Sequence, residues 1–250
     1  MAMEPSLFYT GLVAEMYGLL RSVPSDPEPY ARFITRCGEP ALELGCGDGQ
    51  PLLELRGRGL NVEGLDSSAD MLERCRRLAA QRGLSVVLHH ETIQGMELGR
   101  RFQSIFLAGP TFNLLPDDAT ALSALRAIAR HLAPDGTALI PLFTPAPTPS
   151  SRLGVPRTAR GPDGSEWRFS MVSESRHDAD RVQVSLLRYE RLSGDLEVVE
   201  RSWVLHWYTQ PQFRQLVTAA GLMTTAILND EGAPANDNDD SFAFELRPSN

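Results

Sequence analysis

Residues 41–51 read Ala-Leu-Glu-Leu-Gly-Cys-Gly-Asp-Gly-Gln-Pro, a short apolar run that breaks into glycine at every second position. No other stretch of the chain constrains its fold as strongly. Four residues suffice for a buried parallel strand, and the glycines let the backbone turn sharply and approach a ligand where a Cβ would collide. Pro51 suits a first helical position, and Leu52, Leu53 and Leu55 give the next element an apolar face. Strand, glycine turn and helix in that order open a doubly wound sheet.

Similar units follow. Residues 61–66 form a second strand ending in Asp66. Ser67 or Ser68 caps a helix in which Met71, Leu72, Cys75 and Leu78 recur at three- and four-residue spacing, and Gly83 ends it. Residues 85–89 and 102–108 read as further strands, the latter bounded by Gly109-Pro110. Asp117 or Asp118 opens a helix through Leu122, Leu125, Ile128 and Leu132, closed by Pro134-Asp135-Gly136 before a fifth strand at 137–143. Such alternation predicts a mostly parallel sheet with helices on both faces.

After residue 143 the pattern changes. Residues 144–165 are rich in Pro, Gly, Ser and Thr and read as loop, whereas 167–173, 182–189 and 196–205 alternate like antiparallel strands. Thr209 caps a helix through Phe213, Leu216 and Val217 that stops at Gly221, and residues 223–228 and 241–246 supply two last strands. The chain is therefore read as an α/β protein. Its core, residues 1–143 and 209–250, is a Rossmann-like, doubly wound, mostly parallel seven-stranded sheet, and residues 144–208 form an antiparallel β insertion, expected to act as a substrate lid because it leaves from the carboxyl end of the fifth strand.

What would this core bind? Asp66 lies 21 positions after Gly45, at the end of the second strand, where a carboxylate in a doubly wound sheet can accept from both ribose hydroxyls of an adenosine cofactor. The dinucleotide fingerprint needs glycine at position 50, which is Gln50 here. No pyrophosphate has to be seated, and acidic Glu43 beside the turn suits an ammonium-bearing ligand and would repel phosphate.

These residues carry a family resemblance. Glu43-Leu44-Gly45-Cys46-Gly47-Asp48-Gly49, and Gly64-Leu65-Asp66-Ser67-Ser68-Ala69-Asp70-Met71-Leu72, resemble the glycine-rich and acidic motifs of class I S-adenosylmethionine-dependent methyltransferases. Leu132-Ala133-Pro134-Asp135-Gly136 is similar to the family's turn before strand five, with Asp135 in a glycine position, and Trp207-Tyr208-Thr209 through Ala220-Gly221-Leu222 to its late helix. The resemblance is strongest to small-molecule members, the amino-sugar N,N-dimethyltransferases and glycine N-methyltransferase, which share an N-terminal helical segment with tyrosines, here Tyr9 and Tyr17. It implies S-adenosyl-L-methionine as cofactor, with S-adenosyl-L-homocysteine as product. The cofactor set it implies is Tyr9, Tyr17, Glu43, Gly45, Cys46, Gly47, Asp66, Ser67 and Met71, with Glu91, Thr92 and Ile93 after strand three and Ala108 at the end of strand four. Where the family often has an aspartate for the adenine amine this chain has Thr92, leaving that contact to Glu91, Thr92 or backbone.

The acceptor side is read from position. Phe112 and Asn113 follow the fourth strand at the carboxyl edge of the sheet, and Trp167, Trp203 and His206 lie in the insertion, whose aromatic residues suit the walls of a small, partly apolar pocket. His206 and Tyr17 are the candidate catalytic groups. A sulfonium methyl is already activated, so alignment supplies most of the catalysis, and an amine acceptor demands least of a base. N-methylation of a small molecule is thus expected ahead of O- or C-methylation, with a non-catalytic cofactor-binding regulator as the alternative.

Composition bears on other partners. Net charge is −8, from 24 Lys and Arg against 32 Asp and Glu, and no clustered basic face argues for nucleic acid. His89 and His90 are adjacent on a strand and point to opposite faces, so they cannot chelate one metal, and no metal dependence is expected. Cys37, Cys46 and Cys75 form no complete disulfide framework. Glu4 and Glu15 interrupt the N-terminal apolar residues, so no signal peptide, no membrane association and a cytoplasmic protein are expected, as a monomer or homodimer.

Overall fold

A computed structural model describes residues 8–20, 26–161 and 163–249. Within it β1 (Ala41–Leu44), β2 (Val62–Asp66), β3 (Leu88–His90), β4 (Phe102–Leu107), β5 (Leu132–Phe143), β10 (Leu222–Leu228) and β11 (Ser241–Pro248) form one seven-stranded sheet. Its order is β10-β11-β5-β4-β1-β2-β3. The pairs from β5 to β3 are parallel, while β11 pairs antiparallel with both β5 and β10. The strand order reverses between β1 and β4, and such a switch point opens a crevice at the carboxyl ends of the strands.

Helices cover both faces because the central strands are apolar on both. Leu42 and Leu44 of β1 and Ile105 and Leu107 of β4 join α5 (Asp118–His131) and α6 (Gln210–Ala219) in one core cluster. Ala41 and Phe106 point the other way, against α2 (Glu28–Cys37), α3 (Leu52–Gly57) and α4 (Ala69–Gln81). Ser68 caps α4, its Oγ accepting from Met71 N at 3.2 Å, and Asp117 caps α5 through Thr120 N at 2.7 Å. Thr209 and Gln212 close a reciprocal capping box on α6. Each such cap is worth about 1 kcal/mol, and each fixes where a helix meets the sheet edge.

The second sheet has the order β6-β7-β8-β9, built from β6 (Arg157–Arg160), β7 (Glu166–His177), β8 (Val182–Arg191) and β9 (Glu197–His206), all antiparallel. One face carries Trp167, Leu187 and Tyr189 against Phe8, Leu12, Val13 and Met16, so α1 (Leu12–Leu20) with the turn before it lies along the insertion sheet. An Arg191–Glu15 ion pair at 3.3 Å adds to that contact.

Three local expectations are corrected and one helix is added. Pro134-Asp135-Gly136 does not form a separate turn; β5 starts directly after α5 at Leu132, with a register shift against β4 there. The third strand covers only Leu88–His90, since a sheet-edge strand has one partner, β2, to hold it extended. Residues 144–165 are not all loop, because a 3-10 turn at Ser150–Arg152 and the edge strand β6 lie within them. Helix α2 was not expected from the spacing, although Ala31, Phe33 and Ile34 are buried. Glu4 lies outside the described residues.

Candidate active site

The glycine turn is built by the strand next to it. Gly45 N and Cys46 N both donate to Leu65 O of β2, at 2.7 and 3.0 Å, which bends the chain over the end of that strand. Gly45 and Gly47 take φ of +69° and +54°, a region that side chains strain to adopt. Space is short as well: a Cβ on Gly45 would stand 2.7 Å from Thr111 Cγ2, and one on Gly47 would reach Met71 Cε at 3.4 Å and the Tyr17 phenol at 3.9 Å. The floor of the crevice is therefore bare backbone by necessity.

Asp66 is fixed beside this turn. Its Oδ2 accepts from Gly47 N and its Oδ1 from Ser68 N, both at 2.8 Å, which leaves further lone pairs for a ligand. Burial raises its pKa, against the opposing pull of those two amide donors and of His90. Tyr9 is tied down from above: Ser68 Oγ donates to its carbonyl at 2.5 Å, and Gly11 N donates to Asp70 Oδ2 at 2.7 Å. Tyr9 and Tyr17 meet edge to face, centroids 5.3 Å apart.

Between these groups lies a cavity of about 330 Å³. Ten of the thirteen residues expected around a cofactor line it: Tyr9, Tyr17, Gly45, Gly47, Asp66, Ser67, Met71, Glu91, Thr92 and Ile93. Asp66 and Glu91 carry the only charges among the described lining residues. The other three lie behind it. Glu43 is fully buried in β1, where side chains alternate and its own points to the α2–α4 face; Tyr30 and Cys75 feel its charge there. Cys46 turns its thiol under the sheet, so that a Cβ on Gly64 would meet Cys46 Sγ at 2.7 Å. Burial and then the Asp66 and Glu43 charges push this thiol's pKa well up, which leaves no thiolate for nucleophilic work. Ala108 packs among the residues of that same lower core.

The five residues expected on the acceptor side lie away from this cavity. Phe112 is fully buried between Tyr208 and Phe213. Asn113 is fully buried too, its amide committed to the backbone of Phe143 and His206. The reason is the 3-10 turn at Thr111–Leu114, which eclipses residues three apart: Thr111 and Leu114 face the cavity, and the two between them face inward. Trp167 packs against α1 and donates its indole N–H to Ser165 Oγ at 2.6 Å. Trp203 packs on that same cluster. His206 is an odd number of positions from Trp203, so the strand sends it to the opposite face. There Nδ1 meets Tyr208 Oη at 2.9 Å, and Nε2 lies 3.6 Å from Asp118 Oδ1. Burial lowers the His206 pKa, Arg181 lowers it further, and Asp118 and Asp117 push back. None of Phe112, Asn113, Trp167, Trp203 or His206 lines the cavity. Of the two candidate catalytic groups only Tyr17 does.

The residues missed were Leu65, Gln94, Thr111, Leu114, Leu115, Pro116 and Thr120. A signal was present, since Gly109-Pro110 marks the loop after β4 at the carboxyl edge of the sheet, but its facing depended on the 3-10 geometry. Among the described residues no cluster of three or more His, Cys, Asp or Glu is arranged for a metal, and no helix is long and apolar enough to cross a membrane.

Comparison with known proteins bears on what this crevice holds. A family model described as a methyltransferase domain matches residues 41–136. A dTDP-3-amino-3,6-dideoxy-alpha-D-glucopyranose N,N-dimethyltransferase of Streptomyces fradiae is 29% identical over 227 residues, covering 87% of this chain and 86% of the relative. A cypemycin N-terminal methyltransferase of a Streptomyces species is 25% identical, with 90% of each chain covered. Among solved structures, the CcbJ methyltransferase of Streptomyces caelestis superposes with a TM-score of 0.78 at 20% identity, over 98% of this chain and 99% of that one.

Proposed function

We infer that this chain, which is a class I S-adenosylmethionine-dependent methyltransferase, passes the cofactor's methyl group to an amine nitrogen of a small molecule, with an amino sugar the favoured class. The observation that carries the nitrogen reading is the lining of the cavity. Among the described residues it offers Asp66 and Glu91, the phenols of Tyr9 and Tyr17 and the hydroxyls of Ser67, Thr92, Thr111 and Thr120, but no His or Lys that could act as a strong base. A hydroxyl acceptor needs its proton removed in the transition state, whereas a neutral amine brings its own lone pair. One curated relative is named an N,N-dimethyltransferase of an amino sugar nucleotide, which supports the same choice, and the other an N-terminal methyltransferase.

When bound, S-adenosylmethionine supplies a sulfonium methyl open to direct displacement. The residues here fit it: the bare Gly45–Gly47 backbone would take the methionine portion, the Asp66 carboxylate the ribose hydroxyls, and Glu91, Thr92 and Ile93 the adenine edge. Tyr17, whose phenol overhangs Gly47, would orient the amine lone pair along the line of transfer. An amine arriving as its cation would shed its proton to water before reaction, because only the neutral form carries a free lone pair. Burial by α1 and the Thr111–Pro116 segment would exclude water, and alignment would supply most of the rate. No residue acts as a nucleophile.

Incubation with methyl-labelled cofactor and a panel pairing each amino sugar with its hydroxyl counterpart tests this reading. Label should enter the amines and not the counterparts. Equal labelling of both, or labelling of the hydroxyl members alone, would reject it.

A further inference from the structure

Asn113 lies in the wall of the cavity without touching it. Nδ2 donates to Phe143 O at 3.0 Å and to His206 O at 2.9 Å, and Oδ1 accepts from Phe143 N at 3.2 Å. Phe143 is the last residue of β5 before the insertion, and His206 the last of β9 as the chain returns. One buried amide thus holds both roots of a long excursion. The turn that carries it also presents Thr111, Leu114, Leu115 and Pro116 to the cavity, and Thr111 packs directly over Gly45.

We propose that Asn113 is a positioning residue that makes the cavity wall and the two roots of the insertion move as one body, so that filling the cavity sets the insertion sheet. The chemistry selects an amide. Both donor hydrogens of Nδ2 are used on carbonyls and Oδ1 on an N–H, so three of its four hydrogen-bonding positions are filled inside the protein. An aspartate of the same shape would set carboxylate oxygen against two carbonyl oxygens. A smaller side chain would leave the buried carbonyls unpaired. Every contact runs from side chain to backbone, so the coupling does not depend on which residues occupy the two roots. Because α1 lies along the insertion sheet and carries Tyr17 into the cavity, the same body includes a wall on the far side.

The inference rests on the cofactor occupying this cavity, and hydrogen exchange with and without S-adenosylhomocysteine separates the two claims. In the unaltered protein the ligand should slow exchange in residues 111–116, and also in 143–147 and 205–208, by roughly fivefold or more, the usual lower range of coupling between sites. Asn113→Ala should still bind the ligand and protect 111–116, while protection at both roots is lost. A merely structural role would instead raise exchange at the roots equally with and without ligand. Asn113→Ser, whose side chain is too short to bridge both roots, serves the same purpose if Asn113→Ala does not fold. Absent root protection in the unaltered protein overturns the proposal, as does root protection that survives in either folded variant. Failure of S-adenosylhomocysteine to protect 111–116 in the unaltered protein counts against the cofactor's placement instead.

Discussion

Asp66 is the residue on which the proposed cofactor site turns. Its two oxygens are each held by one backbone N–H, an arrangement that fixes the carboxylate and leaves acceptor capacity for ribose hydroxyls. Asp66→Ala should weaken S-adenosylhomocysteine by about 1.5–3 kcal/mol, the scale of hydrogen bonds to a charged acceptor. Calorimetry would show it, and an unchanged dissociation constant would remove the ribose assignment. The raised pKa adds a pH dependence with a definite sign. Burial favours the protonated acid, which competes with the hydroxyl donors, so affinity should fall as pH drops through a value above the ordinary 3.8. A midpoint at or below 3.8 would mean that burial does not govern this group. Gly45 offers a second test. Its φ of +69° and the 2.7 Å approach to Thr111 make Gly45→Ala costly in both backbone and contact. Adding Thr111→Ser removes the offending methyl and should recover part of the lost melting temperature. Additive effects of the two substitutions would show that the contact is not felt.

Among the elements, β9 shows why the core was legible in the sequence and the acceptor side was not. The glycine turn and Asp66 sit within one strand–helix–strand unit, where spacing alone fixes who faces whom. Phe112, Asn113 and His206 depend on a 3-10 turn and on strand parity, which place them on the inward side of segments whose other residues face the cavity or α1. Position along the chain suggests a ligand in each case, and the partners that claim them, Phe213, the Phe143 backbone and Tyr208, lie far away in the chain or just beyond the strand. His206 then becomes a stability residue. Its folded pKa is depressed, so the stability it contributes is intact above its unfolded value near 6.5 and is lost as pH falls through the lower folded value. Denaturant unfolding from neutral pH downward should show that decline, and His206→Gln should flatten it. An acid limb unchanged by the substitution would assign the decline to other groups.

For the whole molecule, two sheets meet through α1, and the cavity lies beneath that helix at the switch point of the larger sheet. The insertion contributes no described lining residue, and what it holds, α1 and the turn at Asn113, borders the cavity. Substitutions on its exposed face, such as Glu200→Ala in β9, should leave cofactor affinity and labelling of the acceptor panel unchanged, and altered selectivity would show that the face itself meets the acceptor. The central claim is that this cavity serves methyl transfer to nitrogen. Carbon-13 magnetic resonance of the product made from methyl-labelled S-adenosylmethionine and an amino sugar reads that directly. The account predicts a single new methyl environment bonded to nitrogen, abolished by Asp66→Ala at limiting cofactor. A methyl bonded to oxygen or carbon, or no transfer by protein that binds S-adenosylhomocysteine and is offered the full amine panel, would contradict it.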